Sequence, residues 1–558
     1  MFMYFIVSLA ALAQPGGDTT VKRDAASTPG EDLILLAMVD ELDRAMGELK
    51  LEDLAKPYFI GMTAQDRMFC TVRASYGGLL GSQEQRSRFI SVRTRVGSYE
   101  LDNTNVPGSR GQVGVLPLDD DYTALRQAIW LVLDQEYKDS VETLTRKLAY
   151  LKAKADEERP DDFSPAPATV ELLPLKKLQL EKRAMEALAK LLSARFDDHP
   201  KIQDSGVELI AGDSAQWVVN SEGTRVRTSD TGVMLQVDAQ LQASDGMPVR
   251  DSLTYLALTP DQLPPTETIL ADIDKMAVSL VASAESPVVE QYTGPVLFEP
   301  KAAGAVFDAL LADKLCARPL PIGARWDDNS LEKKIGLRIL PRSFSAYDDP
   351  GPQWFEKTLL AGAYQFDDEG TPTKRVDLVD KGILQTMLAS RAPTDKIKQT
   401  TGHGRGGGMS DTQAMIGCLY LQDDNGLSRE ELRNELILAA KDEGLAFGLR
   451  IESMQPGRGD ALGDPIQAYK VFVADGHEEP VRGLKFLPVQ TRALKRLLAA
   501  GRDRDVYNNM SPIGTSIVTP AILFEELELT KVEQEFDKLP ILPSPLNRDP
   551  KTAQAASP

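Results

Sequence analysis

The sequence predicts an α+β protein of two domains: an N-terminal α/β domain with mixed sheet and long helices, then a strand-rich C-terminal domain. Three observations carry this prediction. The 558 residues exceed what one core ordinarily organises, and 42% of them are hydrophobic against 26% charged, which is a globular balance. The first half interleaves apolar stripes at helical spacing with stretches that alternate between apolar and polar residues. Beyond Ser286-Pro287 the pattern turns to mixed strands and many glycines, so a domain joint is placed there.

The chain divides accordingly into residues 1–13, 14–30, 31–286, 287–536 and 537–558. Phe2 to Ala13 is an apolar run too short to span a bilayer, which takes about 20 residues. With the small-x-small triplet Ala11-Leu12-Ala13 it predicts a signal peptide and export, periplasmic or secreted, after cleavage near Ala13. The first basic residue, Lys22, follows the run, which is atypical; uncleaved, the chain would stay cytoplasmic. Residues 14–30 read as a flexible leader and 537–558 as a Pro-rich tail.

Leu35, Val39, Leu42, Met46 and Leu49 make one helical stripe. Pro57 to Ile60 opens a strand. Ile90, Val92, Thr94 and Val96 alternate with Ser91, Arg93 and Arg95, predicting a half-buried strand with a basic outer face. Residues 108–114 read as a loop. Tyr122 to Leu151 keeps helical spacing, as one long helix or two, and a further helix is expected over Leu175 to Phe196. Two strands flank the turn Ser221-Glu222-Gly223-Thr224. Helices are then predicted over Thr266–Ala284, Ala302–Leu315 and Ser428–Glu443, the last with Ser428 and Glu431 at capping-box spacing.

The formal charge of −20 argues against nucleic acid and anionic membrane surfaces as partners, and no integral membrane segment is expected in the mature chain. Cys70, Cys316 and Cys418 are too scattered for a disulfide framework or a zinc knuckle, so they are expected to be buried. His199, His403 and His477 lie too far apart for the paired imidazoles of a zinc-peptidase helix, and His477-Glu478-Glu479-Pro480 reads as a turn. Gly402 to Gly407 matches GxGxxG, but no core strand precedes it and no apolar helix follows, so a mobile glycine loop is expected. Asp348-Asp349 and Asp367-Asp368-Glu369-Gly370 read as solvated acidic turns. Residue chemistry alone yields no active site.

A set of ordered short segments does carry a resemblance. They include Pro57-Tyr58-Phe59-Ile60, Ala74-Ser75-Tyr76-Gly77, Arg95-Val96-Gly97-Ser98-Tyr99, Asn220-Ser221-Glu222-Gly223, Tyr292-Thr293-Gly294-Pro295, Tyr347-Asp348-Asp349-Pro350, Asp367-Asp368-Glu369-Gly370, Ser390-Arg391-Ala392-Pro393 and Gly402-His403-Gly404-Arg405. In order and spacing, over residues 31–530, they resemble the TldD/PmbA family of metallopeptidase-related proteins, the modulator-of-gyrase type.

The resemblance implies a dimer enclosing a cavity, as homodimer or as heterodimer with a metal-competent relative, and unfolded or small peptides as partners. Active members bind zinc through an HExxxH helix and a Cys near the C-terminus, and the family also holds partner subunits without that motif. Here Asp308 and Asp313 stand where the imidazoles would be, Ala309 stands where the base would be, and no Cys follows Cys418. The expectation is therefore no zinc, no cofactor and no catalytic residue: a non-catalytic, peptide-binding subunit. The alternatives are an active metallopeptidase with a nonstandard site and a homodimeric structural or surface protein. Asp367, Asp368, His403 and Arg405 are the expected peptide-cavity residues, by their family position.

Overall fold

The computed structural model describes residues 32–547 apart from 52–53, 108–109, 154–158, 324–330, 407–411, 458–460 and 511–512. The expected signal peptide at 1–13, the leader at 14–30 and the end of the tail from 548 lie outside the described residues.

The first domain is a seven-stranded sheet backed by four helices. Its spine is a pair of long hairpins, β1 (Pro57–Ser75) with β2 (Gly78–Val96), and β5 (Asp204–Asn220) with β6 (Arg225–Gln242). β1 and β5 pair antiparallel at the centre. Tyr76 and Gly77 turn the first hairpin with φ of 45° and 73°, the left-handed pair that a two-residue turn matched to strand twist requires. β3 (Gln112–Val115) adds to β2, while β4 (Val170–Leu172) and β7 (Pro248–Ala257) add to β6, β4 in parallel.

One face of the sheet carries the helices α1 (Leu33–Glu48), α2 (Tyr122–Ala153), α3 (Lys182–Ala194) and α4 (Thr266–Glu285). Ile60, Met62, Ile90, Val92, Trp217 and Val219 meet α1 and α2 in one core, and Cys70, Val72, Leu209 and Leu235 meet α3 and α4 in another. The Asp32 carboxylate caps α1 through Leu35 N (3.0 Å) and also accepts from Trp217 Nε1 (2.8 Å) and Arg227 Nη1 (2.6 Å), pinning the helix to the sheet.

Three expectations change here. The 108–114 loop gives way to β3, because Val113 and Gly114 complete the ladder on β2. The helix expected from Leu175 begins at Lys182, because 173–178 runs extended with its N–H groups on Arg227 O, Ser229 Oγ and Asp213 Oδ2. The basic face of β2 is not an outer face. Arg95 is buried, and this side of the sheet is turned toward the second domain, where Phe69 and Ile210 meet Ala361 and Ile513. The long helix is a single one, and Lys147 replaces its apolar stripe near the end, donating to Thr104 O and Asp162.

The second domain is an eleven-stranded sheet around the strand Thr515–Lys531. That strand pairs antiparallel with β8 (Gln291–Phe298) and with Leu497–Asn509, and parallel with Cys418–Asp423. The helix α5 (Pro300–Phe307) lies against it and is buried from Ala302 to Phe307. The helix Arg429–Asp442 begins with the expected capping box between Ser428 and Glu431. All three cysteines are buried and free.

The domains are docked through Arg391. Its Nε and Nη2 donate to Ser164 O (3.0 and 2.8 Å), and Nη2 also donates to Glu222 Oε1 (2.7 Å). Ser164 N and Oγ donate in return to Arg391 O. The guanidinium lies 4.1 Å from the centre of the Phe163 ring and 5.1 Å from that of Phe59. Arg391 is thus a C-terminal-domain side chain seated in an N-terminal-domain socket. Beside it Gly370, at φ +77°, packs so closely on β5 and β6 that a Cβ would stand 2.6 Å from Thr224 Cγ2.

Arg391→Ala should leave the Ser164 carbonyl without its side-chain donor and the Glu222 carboxylate without its cation, at a cost of about 3–5 kcal/mol. Calorimetry should then resolve two unfolding transitions in place of a coupled one. Arg391→Lys should recover little, because an ammonium cannot reproduce the planar fork.

Candidate functional site: the interdomain cavity

Strand alternation builds one wall of a cavity of about 210 Å³ between the domains. On β1, Phe59, Gly61 and Thr63 face away from the helices. Register sets Arg95, Arg93 and Ser91 of β2 beside them, and Asn220 and Val218 of β5 beside Gly61 and Thr63. Arg95 donates through Nη1 to Asp102 Oδ2 (2.8 Å) and Thr104 Oγ1 (3.0 Å), and its guanidinium lies 3.6 Å from the Phe163 ring centre. Burial works against the Asp102 charge, but Arg95 and the Thr104 donors prevail and hold its carboxyl below the ordinary range. Burial lowers Arg93 to about 10, with the Glu136 carboxylate opposing the shift.

The facing wall comes from the second domain. Asp368, Glu369, Ser390 and Arg391 line it, with Arg318 and Gln413 at its side. The Asp367–Gly370 turn is buried, not solvated, because backbone N–H groups hydrogen-bond its carboxyl oxygens. Asp367 accepts from Glu369 N (3.0 Å), Thr371 N (2.8 Å) and Gly404 N (3.0 Å), and Asp368 accepts from Gly406 N (2.7 Å). Burial and the neighbouring Glu369 charge push Asp367 well up. Residues 402–406 are therefore no mobile loop. They are buried, and Gly404 and Gly406 bring their N–H groups onto two carboxylates in the manner of an anion nest.

The structure distributes the four expected cavity residues unevenly. Asp368 lines the cavity. Asp367, His403 and Arg405 stand behind its wall, 1%, 0% and 2% exposed. His403 contacts Asp348 Oδ1 through Nε2 (3.1 Å) and Thr401 O through Nδ1 (2.9 Å). The ring thus bridges the Asp348 carboxyl group and the Thr401 carbonyl. Asp348 also accepts from Gly417 N and Cys418 N. Arg405 lies 4.3 Å from the centre of the Tyr364 ring. Arg93, Arg95, Arg318, Asn220 and Gly61 were not singled out as cavity residues. The one available signal was a pair of arginines alternating on a strand whose other face is apolar.

The helix expected over Ala302–Leu315 is regular only to Phe307. Asp308–Ala312 is a π-helical turn, and Asp313–Leu315 tightens to 3₁₀ geometry. On an α-helix residues i and i+5 stand roughly 140° apart; the wider π turn draws Asp308 and Asp313 toward one side. They do not converge on a common point. Asp308 Oδ2 accepts from Asn509 Nδ2 (2.8 Å), and burial raises its pKa. Asp313 is exposed and pairs with Arg318 Nη1 at 2.6 Å. Ala309 brings no base. Among the described residues no three His, Cys, Asp or Glu side chains come together as a metal would need. The donor set does not fit zinc.

Residues 291–531 match the model of the PmbA/TldA metallopeptidase C-terminal domain. The second domain belongs to the TldD/PmbA family. A curated metalloprotease from Methanocaldococcus jannaschii is 26% identical over 147 residues, 26% of this chain; the match spans 30% of that relative's length. Solved structures of TldD/PmbA-like architecture superpose over most of the chain. A protein from Thermotoga maritima described as a modulator of a DNA gyrase gives a TM-score of 0.58 at 15% identity, covering 88% of this chain and 100% of its own. TldE from Thermococcus kodakarensis gives 0.57 at 13%, with coverages of 88% and 100%. A DNA gyrase modulator from Bacteroides thetaiotaomicron gives 0.55 at 14%, with 91% and 100%. These likenesses show the α+β fold shared across the TldD/PmbA family.

His403→Ala should leave the buried Asp348 carboxyl group one partner short and cost about 1–3 kcal/mol, read as a lower unfolding midpoint of the second domain. Glu136, which accepts from Thr94 N and Gln112 N beside Arg93, is raised by burial from 4.5 to about 7. The unfolded chain releases this proton near pH 4.5 and the folded chain near 7. The Glu136 contribution to stability should therefore fall across that window and flatten above it, by on the order of 3 kcal/mol. Glu136→Gln has no such proton, so urea midpoints of the two proteins should show the slope in the wild type and not in the variant.

Proposed function

We propose that this TldD/PmbA-family protein is a non-catalytic, peptide-binding subunit of a proteolytic assembly. One observation carries the reading: the positions that would hold zinc and its base are Asp308, Ala309 and Asp313, and both carboxylates are already engaged, by Asn509 and Arg318. A helix that neither gathers ligands nor presents a base cannot activate a water. The cavity next to Arg318 is meanwhile intact and lined with hydrogen-bonding groups suited to a peptide backbone. The partner is a metal-competent relative or a second copy of this chain. Export, with cleavage after Ala13, belongs to the same proposal. Among the described residues no helix is long and apolar enough to cross a membrane.

Purified protein should contain less than stoichiometric zinc, leave an unfolded peptide uncut with or without chelator, and still bind that peptide in a titration. Stoichiometric metal with chelator-sensitive cleavage would establish a nonstandard active site instead. Absence of any peptide binding, with a stable homodimer, would favour a structural role.

A further inference from the structure

Building on the peptide-binding reading, we propose that the Gly61 floor of the interdomain cavity is a carboxylate subsite that takes the C-terminal end of a short peptide. Gly61 sits inside a long strand, where a residue without a side chain weakens packing and commonly marks the close approach of another group. A Cβ there would meet only the Phe59 ring, at 3.2 Å, so the space above the backbone is open cavity. Donors flank it. Arg93 is its register partner on β2, and Asn220 its partner on β5. The Asn220 carbonyl oxygen is taken by Glu222 N (3.0 Å) and Thr224 N (3.2 Å), so the group that Asn220 offers to the cavity is its NH₂.

A second, independent feature points to an anion. Arg95 lines the same cavity at 9% exposure, and its Nε–H is buried without a partner although Nη1 is bonded. A buried unsatisfied donor on a cation is costly, and a carboxylate oxygen would relieve it. The desolvation that lowers Arg93 acts in the same direction.

The remaining walls select the kind of carboxylate. At about 210 Å³ the cavity is below the roughly 300–1,000 Å³ of sites that engulf a drug-sized ligand, so it takes one end of a chain. Asp368 and Glu369 hold the opposite wall, tied to Gly406 N and Arg391 N, and face the cavity as acceptors for peptide N–H groups. Phe59 and Phe163 offer apolar surface to a terminal side chain.

The test is calorimetric titration of the full-length protein with N-acetyl-Ala-Ala-Phe as the free acid, with its C-terminal amide, and with acetate. The acid should bind at least tenfold more tightly than the amide. That preference should vanish in Arg93→Gln and in Gly61→Val, whose thermal melts report whether each folds; Gly61→Ala, a smaller change, serves if either does not. Equal binding of acid and amide would overturn the carboxylate subsite while leaving a peptide-binding subunit in place. Acetate binding as tightly as the peptide acid would overturn the peptide-end assignment. Failure of acid, amide and a long unfolded polypeptide alike would overturn the peptide-binding reading itself, and the subsite with it.

Discussion

Nearly everything distinctive about this molecule depends on the seating of Arg391 in its socket. A guanidinium removed from water is expensive unless its donors are met and its charge is answered. Ser164 O takes two of its N–H groups, Glu222 answers the charge, and the Phe163 and Phe59 rings cover what remains. The socket and the side chain come from different domains, so their union fixes how the two sheets face one another. The cavity has no existence apart from that union: Gly61, Arg93 and Asn220 form its floor, and Asp368 and Glu369 close it from the other side.

Docking also reverses the usual logic of a half-buried sheet. One face of β1, β2 and β5 is an apolar bed for helices, and the other, which would ordinarily be wet, is enclosed. Its polar residues must then satisfy one another. Asp102 takes Arg95 and Tyr58, and Gln65 takes Gln216. On the second domain the same pressure is met by backbone. The carboxyl groups of Asp367 and Asp368 are held by glycine N–H groups, and a Cβ on Gly404 would collide with the neighbouring Glu369 side chain. Burial explains the shifted protonation as well: desolvation lowers Arg93, and under α2 it raises Glu136.

How much of this was legible in the sequence follows from the range of each signal. Periodicity is local, so α1, α2, α4 and the Ser428-capped helix were readable, as was the hairpin around Gly223. The start of α3 was misplaced because Leu175 and Leu178 keep helical spacing while their backbone is claimed by β6 and Asp213, partners that no local pattern reveals. Arginines alternating on β2 look the same whether water or a second domain covers them. The acidic turn and the glycine run each look solvated alone; only their pairing across some 35 residues, Asp367 with Gly404 and Asp368 with Gly406, buries both. Family position brought Asp367, Asp368, His403 and Arg405 to the cavity region, but position cannot tell a lining side chain from the one bracing it.

The motif helix carries the argument furthest. A π turn is uncommon, because it spoils the close packing of an α-helix, and it persists where something outside the helix specifies it. Here it falls on Asp308–Ala312, the span over which residues i and i+5 must be drawn to one side if both are to reach one ion. The two residues share no partner: one carboxylate is bound to an amide and the other to a guanidinium. Asn509 and Arg318 supply positive or donor character where a cation would otherwise be needed, so two carboxylates can remain near each other without mutual repulsion undoing the turn. A widened turn and two carboxylates that each have their own partner are thus compatible in one helix. That compatibility lets the helix keep its π turn with each carboxylate met by a donor from this chain.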